Sequence, residues 1–233
     1  MLQQTQVSRV IPKYSSFLKR FPTIRHLAST STADVLRCWQ GMGYNRRVIN
    51  LKRAAGIIVK QYGGRIPSDT KVLETLPGIG PGTAGAIAAF AFHKHVAFIE
   101  TNIRRVYIHF FFEHRQNVRD REILEKISST LPQNRIRTWY YALMDYGAGA
   151  LKSVENPNRR SKHYKRQPRF EGSRRELRGQ IIRTLAAAGA LAPHELTTDI
   201  REHQKKFVRE VISRLMAEGL VEQRSGKISL PTH

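Results

Sequence analysis

The sequence predicts an all-α fold, and three observations carry that prediction. Apolar residues recur at helical spacing through most of the chain, no strand-like alternation appears before residue 220, and Gly or Pro punctuates the helical stretches. Val10, Tyr14, Phe17 and Leu18 keep helical spacing, and Phe21-Pro22 stops that helix. Ser31 or Thr32 caps the next, with Val35, Leu36 and Trp39 on one face. Residues 45–62 continue helically through Ile49, Leu51, Ala54, Ile57 and Ile58 until Gly63-Gly64. Pro67-Ser68-Asp69 starts a short helix over residues 70–76, and residues 102–112, 120–131 and 137–150 supply three more. Residues 176–188, 193–200 and 202–218 predict three helices, and residues 220–230 alternate around Ser225-Gly226 as a hairpin does. Three helices and a terminal hairpin resemble a winged helix, whose third helix carries Lys205, Lys206, Arg209 and Arg214.

Composition narrows the partner. The chain has 233 residues, 40% of them hydrophobic, with 40 Lys and Arg against 18 Asp and Glu. A formal charge of +22 exceeds what solubility needs and favours a polyanion, DNA or RNA. No segment is long or apolar enough to span a bilayer, and the amino terminus does not read as a signal peptide. The single cysteine, Cys38, excludes an internal disulfide and any cysteine-held cluster, and reads as a buried thiol. Residues 1–155 form the expected helical core, residues 156–175 a basic connector, and residues 176–233 a small second domain. In the connector Tyr164 and Phe170 interleave with cations, among them Arg159, Arg160 and Lys162, which suits a nucleic-acid contact as well as a solvated linker.

The most informative stretch is Leu76-Pro77-Gly78-Ile79-Gly80-Pro81-Gly82-Thr83, set between two helical segments. It reads as a helix-hairpin-helix. Its glycines let a turn approach a ligand closely, and the following helix start presents amides to a phosphate. One carboxylate, Glu100, follows in Phe98-Ile99-Glu100-Thr101-Asn102. A phosphate clamp followed by a carboxylate suggests a protein that grips a nucleic-acid backbone and does chemistry beside it.

Several motifs in order resemble the helix-hairpin-helix DNA glycosylases, adenine DNA glycosylases in particular. They are Met1-Leu2-Gln3-Gln4-Thr5-Gln6-Val7, Gly41-Met42-Gly43-Tyr44, the hairpin, residues 100–106, and Met144-Asp145-Tyr146-Gly147-Ala148. The resemblance implies a two-lobed helical core that binds mismatched or damaged double-stranded DNA as a monomer and flips the target base out of the duplex. Gly78, Gly80, Gly82 and Thr83 would hold a phosphate, with a monovalent cation on the turn's carbonyls. Gln3, Gln4 and Thr5 match the segment that wedges into the duplex, and Tyr44 a DNA-facing aromatic. Glu100 matches the catalytic carboxylate that stabilises an oxocarbenium-like sugar, and Asn102 the neighbour that orients it or a water. Gly82 stands where bifunctional relatives such as endonuclease III carry a Schiff-base lysine, so a monofunctional enzyme is expected. With no targeting segment and no disulfide, the expected location is the cytoplasm, at the nucleoid.

Four departures from the family pattern qualify this. The family's general acid, a Glu two residues before the equivalent of Met1, lies outside this sequence. The iron–sulfur cysteines expected after Ala148 are absent; Leu151 falls near the first and the basic connector occupies the rest. Asn45 replaces the second tyrosine of a Gly-Tyr-Tyr, and the expected winged helix stands in place of the domain that reads 8-oxoguanine. The last two leave thymine opposite guanine, or another damaged base, as an alternative target. The first leaves a non-catalytic DNA-binding protein as another.

Overall fold

The computed structural model describes residues 1–232. These divide into two compact units: Met1–Ile66 with the chain from Pro168 onward, and Pro67–Gln167.

The first unit holds α1 (Val7–Arg20), α2 (Ile24–Ser29), α3 (Thr32–Cys38) and α4 (Arg46–Tyr62) from the amino-terminal segment. Side chains cap two of them: Thr23 Oγ1 accepts the His26 amide at 3.2 Å and Ser31 Oγ accepts the Asp34 amide at 3.0 Å. Gly63, at φ 61°, ends α4 in the left-handed conformation that glycine adopts without cost. Val10 and Phe17 of α1 are buried, whereas Tyr14 and Leu18 are exposed, so half of the expected apolar spacing faces outward.

The carboxyl-terminal segment completes the same unit. Five helices of the second unit intervene in the chain before α10 (Arg174–Ala188), α11 (Glu202–Lys205) and α12 (Val208–Ala217). Strands β1 (Glu222–Arg224) and β2 (Lys227–Ser229) pair antiparallel. The hairpin turns on Ser225 and Gly226, both at positive φ, as a two-residue turn between twisted strands requires. Leu177, Ile181, Ile182 and Leu185 of α10 and Val211 and Leu215 of α12 lie in one cluster with Val35, Leu36, Trp39 and Val48. The Ala33 amide donates to Pro231 O at 2.8 Å. The compact units therefore cut across the division at residues 155 and 176. Residues 176–232 contain the expected hairpin, but they bury their apolar face against the amino-terminal helices.

Two expected helices differ. Residues 193–200 form only a 3₁₀ turn at Glu195–Thr197, because Thr197 and Thr198 turn their hydroxyls back to the carbonyls of His194 and Glu195. The helix expected over 202–218 breaks between Lys205 and Val208. Gln204, 1% exposed, sends its amide to Ser173 O at 3.4 Å and draws the first turn toward the start of α10.

The second unit holds α5 (Thr70–Glu74), α6 (Pro81–Phe92), α7 (Thr101–Phe111), α8 (Asp120–Thr130) and α9 (Ile136–Ala148). Its core gathers Phe98, Ile103, Val106, Tyr107, Ile123, Ile127, Tyr140 and Leu143. Arg104 joins α7 to α8 through a two-pronged ion pair with Asp120, at 3.0 and 2.7 Å. After α9, residues 150–153 and 157–160 form two 3₁₀ turns in which Leu151, Pro157 and Asn158 are buried. The connector is thus built structure over its first part: Ser161 bridges Val118, and the Lys162 amide donates to Val118 O at 2.9 Å.

Candidate functional site

The hairpin and the carboxylate both belong to the second unit. Asp69 Oδ1 accepts the Val72 amide at 3.0 Å and starts α5, and the Ile79 amide folds back to Leu76 O at 3.1 Å. Gly78 sits at φ 78°, which an L side chain rarely adopts. Gly80 is the cap residue of α6 with no side chain to offer, Pro81 occupies the first helical position, and no acid stands in the first turn. A helix start of this composition is suited to an external anion rather than to an internal cap.

That helix start lies directly on the segment that carries Glu100. A Cβ added at Gly82 would sit 2.7 Å from Ile99 O, and one at Gly85 would sit 2.4 Å from the Phe98 Cβ. On the opposite side, a Cβ at Gly147 of α9 would sit 2.5 Å from Asn102 O. Residues 98–102 are therefore held between α6 and α9 by positions where only a missing side chain allows contact. Tyr140 of α9 adds a hydrogen bond to Val96 O at 2.7 Å, and Arg105 Nη1 donates to Gly147 O at 2.6 Å.

Glu100 caps α7. Its Oε1 accepts the Ile103 amide at 2.7 Å. Burial pushes its carboxyl above the usual glutamate range, and the amides of Ile103, Asn102 and Thr101 and the Arg104 charge pull the other way without cancelling it. Asn102 contributes to this cap through its backbone amide.

The other expected site residues of the second unit split in role. Arg159 is exposed and pairs with Glu155 at 3.1 Å, and Lys162 is exposed. Arg160 turns inward instead: its guanidinium donates to the carbonyls of Ile108, Phe112 and Glu113 at the end of α7. It is committed to a helix terminus.

In the first unit, Gln3 and Gln4 are exposed and Thr5 is half-buried ahead of α1, with Gln4 at φ 57°. Arg47 of α4, which sequence reasoning passed over, rivets this segment. Its guanidinium donates to Met1 O at 2.8 Å, to Gln3 O, to Thr5 Oγ1 at 2.9 Å and to Met42 O at 3.1 Å. It also lies 5.7 Å from the Tyr44 ring centroid, a cation–π contact. Tyr44, at φ 47° and 40% exposed, accepts a hydrogen bond from Arg175 at 3.2 Å through its hydroxyl. The signal for Arg47 was available: a guanidinium three residues after Tyr44, on a helix that starts at the glycine loop.

An iron–sulfur cluster does not fit the residues after α9. Buried Leu151, Asn158 and Ser161 stand there, without thiolates, and Cys38 belongs to the other unit. Among the described residues, no three His, Cys, Asp or Glu side chains come together as a metal site.

Comparisons with known proteins agree with this arrangement. The profile of the HhH-GPD superfamily base excision DNA repair proteins matches residues 1–133. The chain is 32% identical over 258 aligned positions to an adenine DNA glycosylase of Mycolicibacterium smegmatis, covering 99% of this chain and 84% of that protein. It is 38% identical over 149 residues to an adenine DNA glycosylase of Buchnera aphidicola, covering 64% of this chain and 42% of that one. Against the Mycobacterium tuberculosis adenine DNA glycosylase the figure is 43% over 106 residues, which is 46% of this chain and 35% of that one. Among solved structures, a thermostable thymine-DNA glycosylase shares the fold at a TM-score of 0.59 and 24% identity, over 67% of this chain and 73% of that one. A trapped endonuclease III–DNA intermediate shares it at 0.57 and 17%, over 65% and 71%. With a profile match through the hairpin and the Glu100 segment, and a relative that aligns with 99% of this chain, the chain belongs to the HhH-GPD superfamily of base excision DNA repair proteins.

Proposed function

We propose that this protein is a monofunctional DNA N-glycosylase that removes adenine mispaired with 8-oxoguanine or guanine. The observation that carries the reading is the contact between the first turn of α6 and the carbonyl of Ile99, one residue before Glu100. A phosphate held at Gly80, Gly82 and Thr83 then brings its sugar beside a desolvated carboxylate. The relatives named adenine DNA glycosylase support the target base.

The chemistry follows from charge. Cleaving the N-glycosidic bond builds positive charge on the sugar, and an ionised Glu100 close to C1′ stabilises it. Burial strengthens that interaction and raises the pH at which the carboxylate ionises. Asn102 orients the carboxylate or the attacking water. With glycine at position 82 there is no amine to form a Schiff base, so the product is an abasic site on an uncut strand. Gln3, Gln4 and Thr5, in the segment that Arg47 holds, supply the wedge that enters the duplex when the base is flipped. Arg159 and Lys162 add phosphate contacts, and a monovalent cation on the hairpin carbonyls completes the clamp. With +22 on the chain, affinity for duplex falls steeply with salt.

Single-turnover cleavage of duplexes carrying A:8-oxoG, A:G and T:G, followed by alkali, tests this. The chain is run beside a version extended upstream, each with Glu100→Gln. Cleavage opposite 8-oxoguanine or guanine, lost with Glu100→Gln and strand-intact before alkali, supports the proposal. Asn45 in place of a second tyrosine favours the other reading, thymine opposite guanine, and preferential T:G cleavage selects it. Tight duplex binding with no cleavage in any form rejects the enzyme.

A further inference from the structure

We infer that Asn158 is a positioning residue for Glu100: a protein-only clasp, centred on Asn158 and Arg160, sets the geometry of the carboxylate by holding α7 at both ends. The inference rests on the reading of Glu100 as the catalytic carboxylate.

One 3₁₀ turn, Pro157–Arg160, reaches both termini of α7. At the start, Asn158 Nδ2 donates to Thr101 O at 3.0 Å. At the end, Arg160 donates to the carbonyls of Ile108, Phe112 and Glu113. The turn is itself fixed from several directions. The Asn158 amide donates to Asn156 Oδ1 at 3.2 Å, the Ser161 amide to Asn158 O at 3.0 Å, and the Val118 amide to Arg160 O at 2.9 Å. Asn158 is 6% exposed, so water does not compete for its bond.

The lever is short. Thr101 O belongs to the peptide that follows Glu100 by one residue. Its position sets the tilt of the amides of Thr101, Asn102 and Ile103, the three that face the Glu100 carboxylate. Asn158 Oδ1 is buried and has no hydrogen-bond partner, so the side-chain amide is oriented by its donation to Thr101 alone. The opposite orientation would press carbonyl against carbonyl. The remaining charge near the carboxylate is Arg104, whose guanidinium is engaged by Asp120. On the far side Gly147 and Arg105 close the same first turn. A bond made by a buried side chain to the first carbonyl of the catalytic helix thus fixes the cap in which Glu100 sits.

The test titrates the Glu100 carboxyl by carbon NMR in the full chain, in wild type, Asn158→Ala, Asn158→Leu and Ile127→Val. Ile127→Val loosens the same core without touching the clasp. In Asn158→Ala the amides of Thr101, Asn102 and Ile103 lose their alignment on the carboxylate, so the Glu100 midpoint moves further up from the ordinary glutamate range, while Ile127→Val leaves it in place. On the duplex identified above, Asn158→Ala slows single-turnover cleavage roughly 10- to 100-fold with duplex affinity unchanged within about twofold. Asn158→Leu keeps the side chain's bulk and removes its donor, so it reproduces the rate loss and stands in should the alanine variant not fold. An unmoved Glu100 midpoint in Asn158→Ala, or an equal shift in Ile127→Val, overturns the inference and leaves Asn158 a packing residue. Glu100→Gln separates the two claims. If that variant keeps full activity, the Glu100 reading falls and the inference with it. If it is inactive while Asn158→Ala and Asn158→Leu cleave at the wild-type rate, only the positioning role falls.

Discussion

Glu100 serves both as a helix cap and as a carboxylate in a desolvated place, and the two uses oppose each other. The cap stabilises the ionised form through the amides at the start of α7, and burial penalises it. Because burial wins, the folded-state value lies above the unfolded one. Its stabilising contribution is therefore present in full below the unfolded value and is lost as pH rises through the folded value. Glu100→Gln is expected to melt higher than wild type at pH 7, with the gap closing as the solution is acidified below the ordinary glutamate range. Thermal denaturation across that range checks the sign. Under the proposed function activity runs the other way, because the ionised carboxylate is the form that would stabilise the sugar cation. The acid limb of the pH–rate profile should lie above the ordinary glutamate range. Gly82 makes a second residue-scale point. The absence of a lyase lysine was legible in the sequence, but the reason no side chain fits was not, because it depends on Ile99 O. Gly82→Ala should destabilise the protein by about 1–3 kcal/mol through backbone displacement. Gly82→Lys should trap no borohydride-reduced DNA adduct, since its side chain starts against a carbonyl; a trapped adduct would refute this.

Among the elements, caps and stops follow from local chemistry. Ser31, Asp69 and Gly63 act where their neighbours alone predict it, because a cap involves only the next three or four residues. The Ser225-Gly226 turn is legible for the same reason. The failures lie where an element takes instructions from a distant one. The break before Val208 reflects the pull of Ser173 on Gln204, across 31 residues of sequence. Arg160 reads as one more cation in a basic run, yet the end of α7 claims it. Arg160→Ala is therefore expected to lower stability by about 1.5–3 kcal/mol, the range for hydrogen bonds to a charged group. It should leave duplex affinity near wild type per folded molecule, whereas Lys162→Glu weakens binding without a comparable loss of stability. Denaturant titration and fluorescence anisotropy on both variants separate the two roles.

At the scale of the whole molecule, the main revision concerns which parts fold together. The chain reads as a core, a connector and a small separate domain. In the structure, residues from 168 onward complete the amino-terminal unit, and residues 67–167 form the other. Leu177, Ile181, Val211, Leu215 and Leu230 share one cluster with Phe17, Leu36 and Val48. A chain ending at residue 167 should lose the cooperative unfolding of its first 66 residues while residues 67–167 keep theirs. Hydrogen exchange read segment by segment tests this, and protected amides in α3 and α4 of the shortened chain would contradict it. By itself the sequence determined the helical class, the hairpin, the carboxylate after it, the basic charge and the family, because each is written in local spacing, composition or a contiguous motif. Only the tertiary structure decided that Gly82 and Gly147 bracket the Glu100 segment, that Asn158 and Arg160 clasp α7, and that the two chain ends share a core. Those facts depend on which atoms meet across tens of residues, and hydrophobic periodicity specifies that a face is buried without specifying against what.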